Sequence, residues 1–125
     1  MSRDYDDQNI FARILRGEIP NDTVAESEAS LAFRDISPRA PVHVLVIPKG
    51  AYIDHAHFCA EASDAEIADF ARLTAKVIAE AGLRAKDGSE GYRVISNSGP
   101  HGNQEVPHYH VHVVGGAPLG AMVSR

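Results

Sequence analysis

Ile10, Phe11, Ile14 and Leu15 recur with a 3.6-residue period, which predicts a short helix with one apolar stripe. Asp6-Asp7 precede it as cap and charge complement, and Gly17 is its natural stop. The period then shortens to two. Thr23 to Ser27 and Ser30 to Ile36 predict two short strands joined tightly. In the second, Leu31, Phe33 and Asp35 share one face, so a carboxylate ends an apolar row. Val42 to Pro48 is apolar on both faces, as a central strand is, and only His43 intrudes on the face of Leu45 and Ile47. Ser63-Asp64-Ala65-Glu66 is a capping box that opens the longest helix, whose apolar side runs from Ile67 to Ala81 before Gly82. Lys86 to Gly91 is a polar turn region. Tyr92 to Asn97 and Val106 to Val114 predict two further strands, separated by the Gly- and polar-rich loop Ser98 to Glu105. No repeat, low-complexity tract or linker divides the chain, so residues 1–125 are expected to form one domain. Helices set apart from runs of strands predict an α+β fold with a mostly antiparallel sheet, one long helix and a short N-terminal helix.

Composition narrows the partners. A chain of 125 residues, 44% hydrophobic, is long enough for a core without disulfide or metal staples. A formal net charge of -5 argues against bulk attraction to nucleic acid or to an anionic membrane. The single cysteine, Cys59, has no intrachain partner and fits a reducing compartment; it is expected to be a small buried or half-buried residue. The acidic, polar start, with no apolar segment behind it, and the absence of a long apolar run lead to the expectation of a cytoplasmic protein without a signal peptide or membrane span.

Seven histidines remain, four of them between His101 and His112. In His108-Tyr109-His110-Val111-His112-Val113-Val114 a period of two places three imidazoles on one strand face, with Tyr109, Val111 and Val113 on the other. Random placement of the histidines gives only about 0.02 occurrences of this spacing. Three uses fit the pattern. The face is a polar surface that employs histidine without chemistry, or a metal site, or a nucleophilic site for attack on phosphorus. A metal site is limited by reach: neighbours at i and i+2 are ~6.6 Å apart, but the outer pair is ~13 Å apart, too far to share one ion on an extended strand. Imidazole attacks phosphorus near neutral pH and leaves again when water follows, with flanking imidazoles to move protons. The middle residue, His110, is then the natural nucleophile between His108 and His112. The preceding loop offers backbone N–H groups at Gly99 and Gly102, and the Asn97 and Gln104 amides, to an anion. His55, His57 and His101 are expected to be surface or loop residues.

The chain closely resembles the histidine triad (HIT) family, and within it the Hint branch of purine nucleoside phosphoramidases. The triad segment, followed by Gly115-Gly116, carries the resemblance together with two other blocks. These are Asn9-Ile10-Phe11 through Arg16-Gly17-Glu18-Ile19-Pro20, and Phe33-Arg34-Asp35-Ile36-Ser37-Pro38 through Val46-Ile47-Pro48-Lys49. The resemblance implies that His110 attacks the α-phosphorus and carries a nucleotidyl intermediate. It implies that His108 and His112 support the phosphate and proton network, with His43 nearby. Asp35 is implied to hold the ribose hydroxyls. Ile10, Phe11, Ile14, Ile19, Phe33, Ile36 and Leu45 are implied to wall the base, and Asn97, Gln104, Glu105 and Val106 to approach the ribose and phosphate. Glu105 stands where some relatives carry a hydroxyl residue, so its backbone N–H is the group expected to face a phosphoryl oxygen. The tail from Ala117 to Arg125 carries no tryptophan, so tail-borne selectivity known in some relatives does not transfer. The resemblance further implies a homodimer with a continuous sheet, a purine nucleotide substrate, no cofactor and no catalytic metal. The expected activity is hydrolysis of a nucleoside 5′-phosphoramidate or acyl-nucleotide. Alternatives are hydrolysis of dinucleoside polyphosphates, or a nucleotide-binding regulatory or scaffold protein whose hydrolysis is incidental.

Overall fold

The structure, a computed structural model, describes residues 4–123. Five strands form one antiparallel sheet: β1 (Thr23–Glu26), β2 (Ser30–Arg34), β3 (Val42–Pro48), β4 (Tyr92–Ile95) and β5 (Val111–Gly115). Their order is β1-β2-β3-β5-β4, so β3 is central, as its two apolar faces require. The helices are α1 (Ile10–Leu15), α2 (His55–Glu61) and α3 (Asp64–Glu80), with one 3₁₀ turn at Ala85–Asp87. The architecture is the expected α+β.

Side-chain alternation divides the core into two layers. Val44 and Val46 of β3 and Val111 and Val113 of β5 point to the face that α3 covers with Phe70, Leu73, Val77 and Ile78. Leu31, Phe33, Leu45 and Ile47 point the other way, onto Phe11 and Ile14 of α1. The six-residue helix α1 covers only part of that second face. The uncovered part holds His43, His110 and His112.

The capping box of α3 forms as read, Ser63 accepting from the Glu66 N–H while the Glu66 carboxylate accepts from the Ser63 N–H. Gly17 and Gly82 both adopt positive φ, at 79° and 72°, where a Cβ would be strained. Three expectations change. The cap of α1 is Asn9, not Asp6-Asp7: its side-chain oxygen accepts from the Ala12 N–H at 2.9 Å, while its amide donates to the Asp6 carbonyl at 2.7 Å. Cys59 lies on the outer side of helix α2 and is exposed, not buried. That helix is itself absent from the sequence pattern, because it deeply buries only Phe58 and shows no periodic stripe. Finally, the last strand begins at Val111 rather than Val106. Pro107 has no N–H to offer a ladder, and the Tyr109 N–H donates instead to the Tyr52 carbonyl at 2.7 Å.

Candidate active site

A cavity of about 620 Å³ opens beside α1 on the histidine-bearing face of the sheet. Antiparallel register lays out its floor in rows. Phe33, Leu45, His112 and Ile95 stand side by side on β2, β3, β5 and β4, and His43, Val114 and Arg93 form the next row. Ile10, Phe11, Ile14 and Ile19 make one wall, with Asp35 and Ile36 at the end of β2. Asn97, Glu105 and Val106 line the opposite side, and His110 completes the floor. Thus most of the residues singled out from sequence meet around one space. His108 and Gln104 do not line it.

Hydrogen-bond partners assign the proton on each imidazole, because a carbonyl can only accept and a backbone N–H can only donate. His110 Nδ1 lies 2.7 Å from the His108 carbonyl, so it carries the proton and donates. Nε2 of His110 is left with a bare lone pair. His43 Nδ1 accepts from the Arg39 N–H at 3.0 Å, so its proton is on Nε2, which lies 2.9 Å from His112 Nδ1. His112 therefore accepts at Nδ1 and carries its own proton on Nε2. The Asp35 carboxylate stands 3.4 Å from the same His43 Nε2 and is fixed by accepting the Ser37 N–H at 2.7 Å. The rings of His110 and His112 are 5.1 Å apart, and Phe11 meets His110 edge-on at 5.0 Å.

Burial keeps the group neutral. It pushes His112 down to about 4, reinforced by the neighbouring His110 and His43. Burial also lowers His110, outweighing its bond to the His108 carbonyl and the nearby Asp35 and Glu105 charges. His43 is lowered by burial as well, with Asp35 pulling in the opposite direction. At neutral pH the site thus pairs a bare imidazole nitrogen, which can attack, with a neutral imidazole N–H, which can donate a hydrogen bond to the group under attack.

Two expectations are corrected here. His108 is fully buried instead of standing on the open face with its two partners. Its Nε2–H donates to the Pro48 carbonyl at 2.8 Å and its Nδ1 lies 2.6 Å from the Tyr5 hydroxyl. The chain leaves the sheet before Val111, so the period of two no longer aims His108 at the cleft. The loop N–H groups are also spent elsewhere: Gly99 N–H donates to the Gln104 side-chain oxygen at 3.1 Å, and Gly102 N–H to the Ser98 carbonyl at 3.2 Å. Gln104 donates to the Ile53 and Val106 carbonyls at 2.7 and 3.0 Å, so it braces the loop rather than facing an anion. Asn97 and Asn103 are the amides that line the cavity.

Donor atoms of Asp35, His43 and His112 lie within 4.8 Å of one another, close enough to surround a cation. Ligation through His43 Nε2 would require a lone pair there and a proton on Nδ1. That proton would oppose the Arg39 N–H, so this donor set is arranged for proton transfer better than for a metal. Arg39, Arg93, Ile95 and Leu119 also line the cavity and fall outside the set expected from sequence. For Arg93 and Ile95 a signal exists: pairing the two last predicted strands antiparallel puts them on the His112 face. Leu119 arrives with the tail, where the Arg93 guanidinium donates to the Gly120 carbonyl at 2.8 Å.

Residues 16–119 match the HIT domain family. The chain belongs to the HIT family. An uncharacterized 13.2 kDa HIT-like protein from Azospirillum brasilense is 52% identical over 125 residues, covering 100% of this chain and 99% of its own. The purine nucleoside phosphoramidase of Escherichia coli K12 is 38% identical over 119 residues, 95% of this chain and 96% of that one. Among solved structures, a histidine triad protein from Clostridium difficile superposes with a TM-score of 0.76 at 35% identity, covering 97% of this chain and 98% of that chain. The HIT fold accounts for the α+β layout around the cleft. Among the described residues, no helix is long and apolar enough to cross a membrane.

Proposed function

We propose that this HIT protein hydrolyses purine nucleoside 5′-phosphoramidates or acyl-nucleotides to the nucleoside monophosphate, through a nucleotidyl group carried on His110. The reading rests on one observation above all: an unprotonated His110 Nε2 beside a His112 ring that carries its proton on Nε2, at the floor of an apolar-walled cleft. In the first step His110 Nε2 forms a bond to the α-phosphorus and the bond to the leaving nitrogen breaks. That nitrogen, held in place by a hydrogen bond from the His112 Nε2–H, takes a proton from solvent. In the second step water attacks phosphorus, the nitrogen–phosphorus bond to His110 breaks, and one proton returns to solvent. His110 keeps its Nδ1 proton throughout, so the His108 carbonyl stabilises the positive charge that builds on the phosphorylated ring. A rapid acid-free denaturing quench with adenosine phosphoramidate labelled in the nucleotide should leave label on His110. Label-free protein during steady turnover would count against the covalent route and for direct attack by water.

Asp35 is assigned to the ribose hydroxyls, since its carboxylate is half-open to the cleft and held by the Ser37 N–H at the end of the base wall. Asp35→Ala should weaken adenosine monophosphate binding by about tenfold, the size of a charged hydrogen bond. Its affinity for the 2′,3′-dideoxy analogue should match that of wild type, as titration calorimetry would show. An equal loss for both ligands would move Asp35 from ribose binding to a role in holding His43.

We further infer a homodimer through β4. That strand is the sheet edge next to β5, and its Tyr92 and Val94 are 48% and 43% exposed. Sedimentation equilibrium should give twice the chain mass, and Val94→Lys should lower it to the monomer value. A wild-type protein sedimenting as a monomer at micromolar concentration would rule the assembly out.

A further inference from the structure

Among the groups that the reaction scheme leaves unused, the buried His108 is the one whose surroundings are most fully specified. Both ring nitrogens are engaged: Nε2–H donates to the Pro48 carbonyl at 2.8 Å, and Nδ1 lies 2.6 Å from the Tyr5 hydroxyl. Because Nδ1 has no proton in this tautomer, Tyr5 must be the donor. A flipped ring would set carbon atoms against both the carbonyl and the hydroxyl, so the pair of bonds selects one tautomer and one orientation. Tyr5 also meets the His108 ring edge-on at 5.6 Å.

Tyr5 belongs to no helix or strand, yet it is held. The turn behind it is tied by the Asn9 amide to the Asp6 carbonyl at 2.7 Å and by the Arg16 guanidinium to the Asp7 carbonyl at 2.7 Å. Asn9 is at the same time the cap of α1, whose Phe11 touches His110. One continuous N-terminal unit therefore presses on the triad at two points. We propose that Tyr5 is a positioning residue for the reaction: by locking His108 it fixes the carbonyl that accepts the hydrogen bond from the His110 Nδ1–H, and so aims His110 Nε2 at phosphorus. This rests on the phosphoramidase reading above for its catalytic half, while the locking of His108 stands on the structure alone. Burial, which holds His108 down at about 4, is consistent with a ring that is never charged during turnover.

Tyr5→Phe keeps the aromatic ring and removes only the donor. Two-dimensional nitrogen spectra of the histidine rings should show the His108 Nδ1 signal moving from that of a strongly hydrogen-bonded acceptor to that of a free lone pair. With adenosine phosphoramidate, kcat should fall about tenfold, the scale of a misaimed reactive group. KM should stay within about twofold, since the walls of the cleft are untouched. A tyrosine with a merely structural role would lower stability and move the ring signal but leave kcat of the folded protein unchanged. An unmoved His108 Nδ1 signal, or an unmoved kcat, overturns the proposal. Absence of turnover by the wild type would instead sink the phosphoramidase reading, and the ring signal would then decide on its own whether Tyr5 locks His108.

Discussion

His110→Ala is expected to lower the turnover of adenosine phosphoramidate by at least ~10⁴-fold, the usual scale for loss of a covalent nucleophile. Binding of adenosine monophosphate should change by no more than about threefold, because uniform binding comes from the walls and not from the reacting atom. The expectation follows from how little else in the cleft can attack. His112 presents an N–H to the cavity, with its lone pair on Nδ1 occupied by the His43 Nε2–H. His43 has its own lone pair on the Arg39 N–H. Asp35 is a carboxylate tied to the Ser37 N–H and set against His43. Among these groups, only His110 brings a free nitrogen lone pair to the floor. His110→Ala also removes the edge contact with Phe11, centroid distance 5.0 Å, so the variant's stability should be measured beside its activity. Steady-state rates together with calorimetric titration check both halves. Turnover retained within tenfold would reassign the nucleophile, and loss of nucleotide binding equal to the loss of rate would make His110 a binding residue.

Much of this site is legible from periodicity alone. His43 on the face of Leu45 and Ile47, Asp35 at the end of the Leu31–Phe33 row, and the stripe of α1 all follow from which way a side chain points on a regular element. Register then does the rest, since antiparallel pairing brings Leu45 opposite His112 and Phe33 opposite Leu45. Illegible parts share a physical cause: they depend on where regular structure stops. The period of two places His108 on a side of the chain but cannot say that the strand starts only at Val111. Nor can it say that His108 turns inward to Pro48 and Tyr5. Gly99, Gly102 and Gln104 have the composition of an anion-binding loop, but the loop satisfies its donors internally. Short helix α2 escapes because one deeply buried Phe58 leaves no pattern. The HIT resemblance supplies roles for residues whose positions the periodicity already gives, and it does not reach Tyr5 at all.

Acid should destabilise the protein well before its carboxylates titrate. His108 is pushed from 6.5 to about 4 by burial, only partly opposed by its bond to the Pro48 carbonyl. The unfolded chain therefore binds a proton near pH 6.5 that the folded chain refuses until about 4. Stability from this residue is fully present above pH 6.5 and is lost as pH falls towards the folded value. Within that window each step of one in pH costs about 1.4 kcal/mol per proton taken up, so His108 alone should cost roughly 2 kcal/mol between pH 7 and pH 5. His112, also near 4 through burial and its two histidine neighbours, acts in the same direction. Its partial opening to the cleft lets solvent screen the effect, so its share is smaller. His110 and His43, both lowered by burial, add to the same slope. Against a total stability of about 5–15 kcal/mol, the sum is large for so mild an acid. Urea midpoints at pH 7, 6 and 5 and constant ionic strength should fall steadily, with histidine proton resonances showing His108 still neutral in the folded protein at pH 5. A midpoint flat over that range, or a His108 resonance that titrates near 6.5, would mean that the buried imidazoles are charged in the native state. The proton assignment from which His110 emerges as nucleophile would then fail as well.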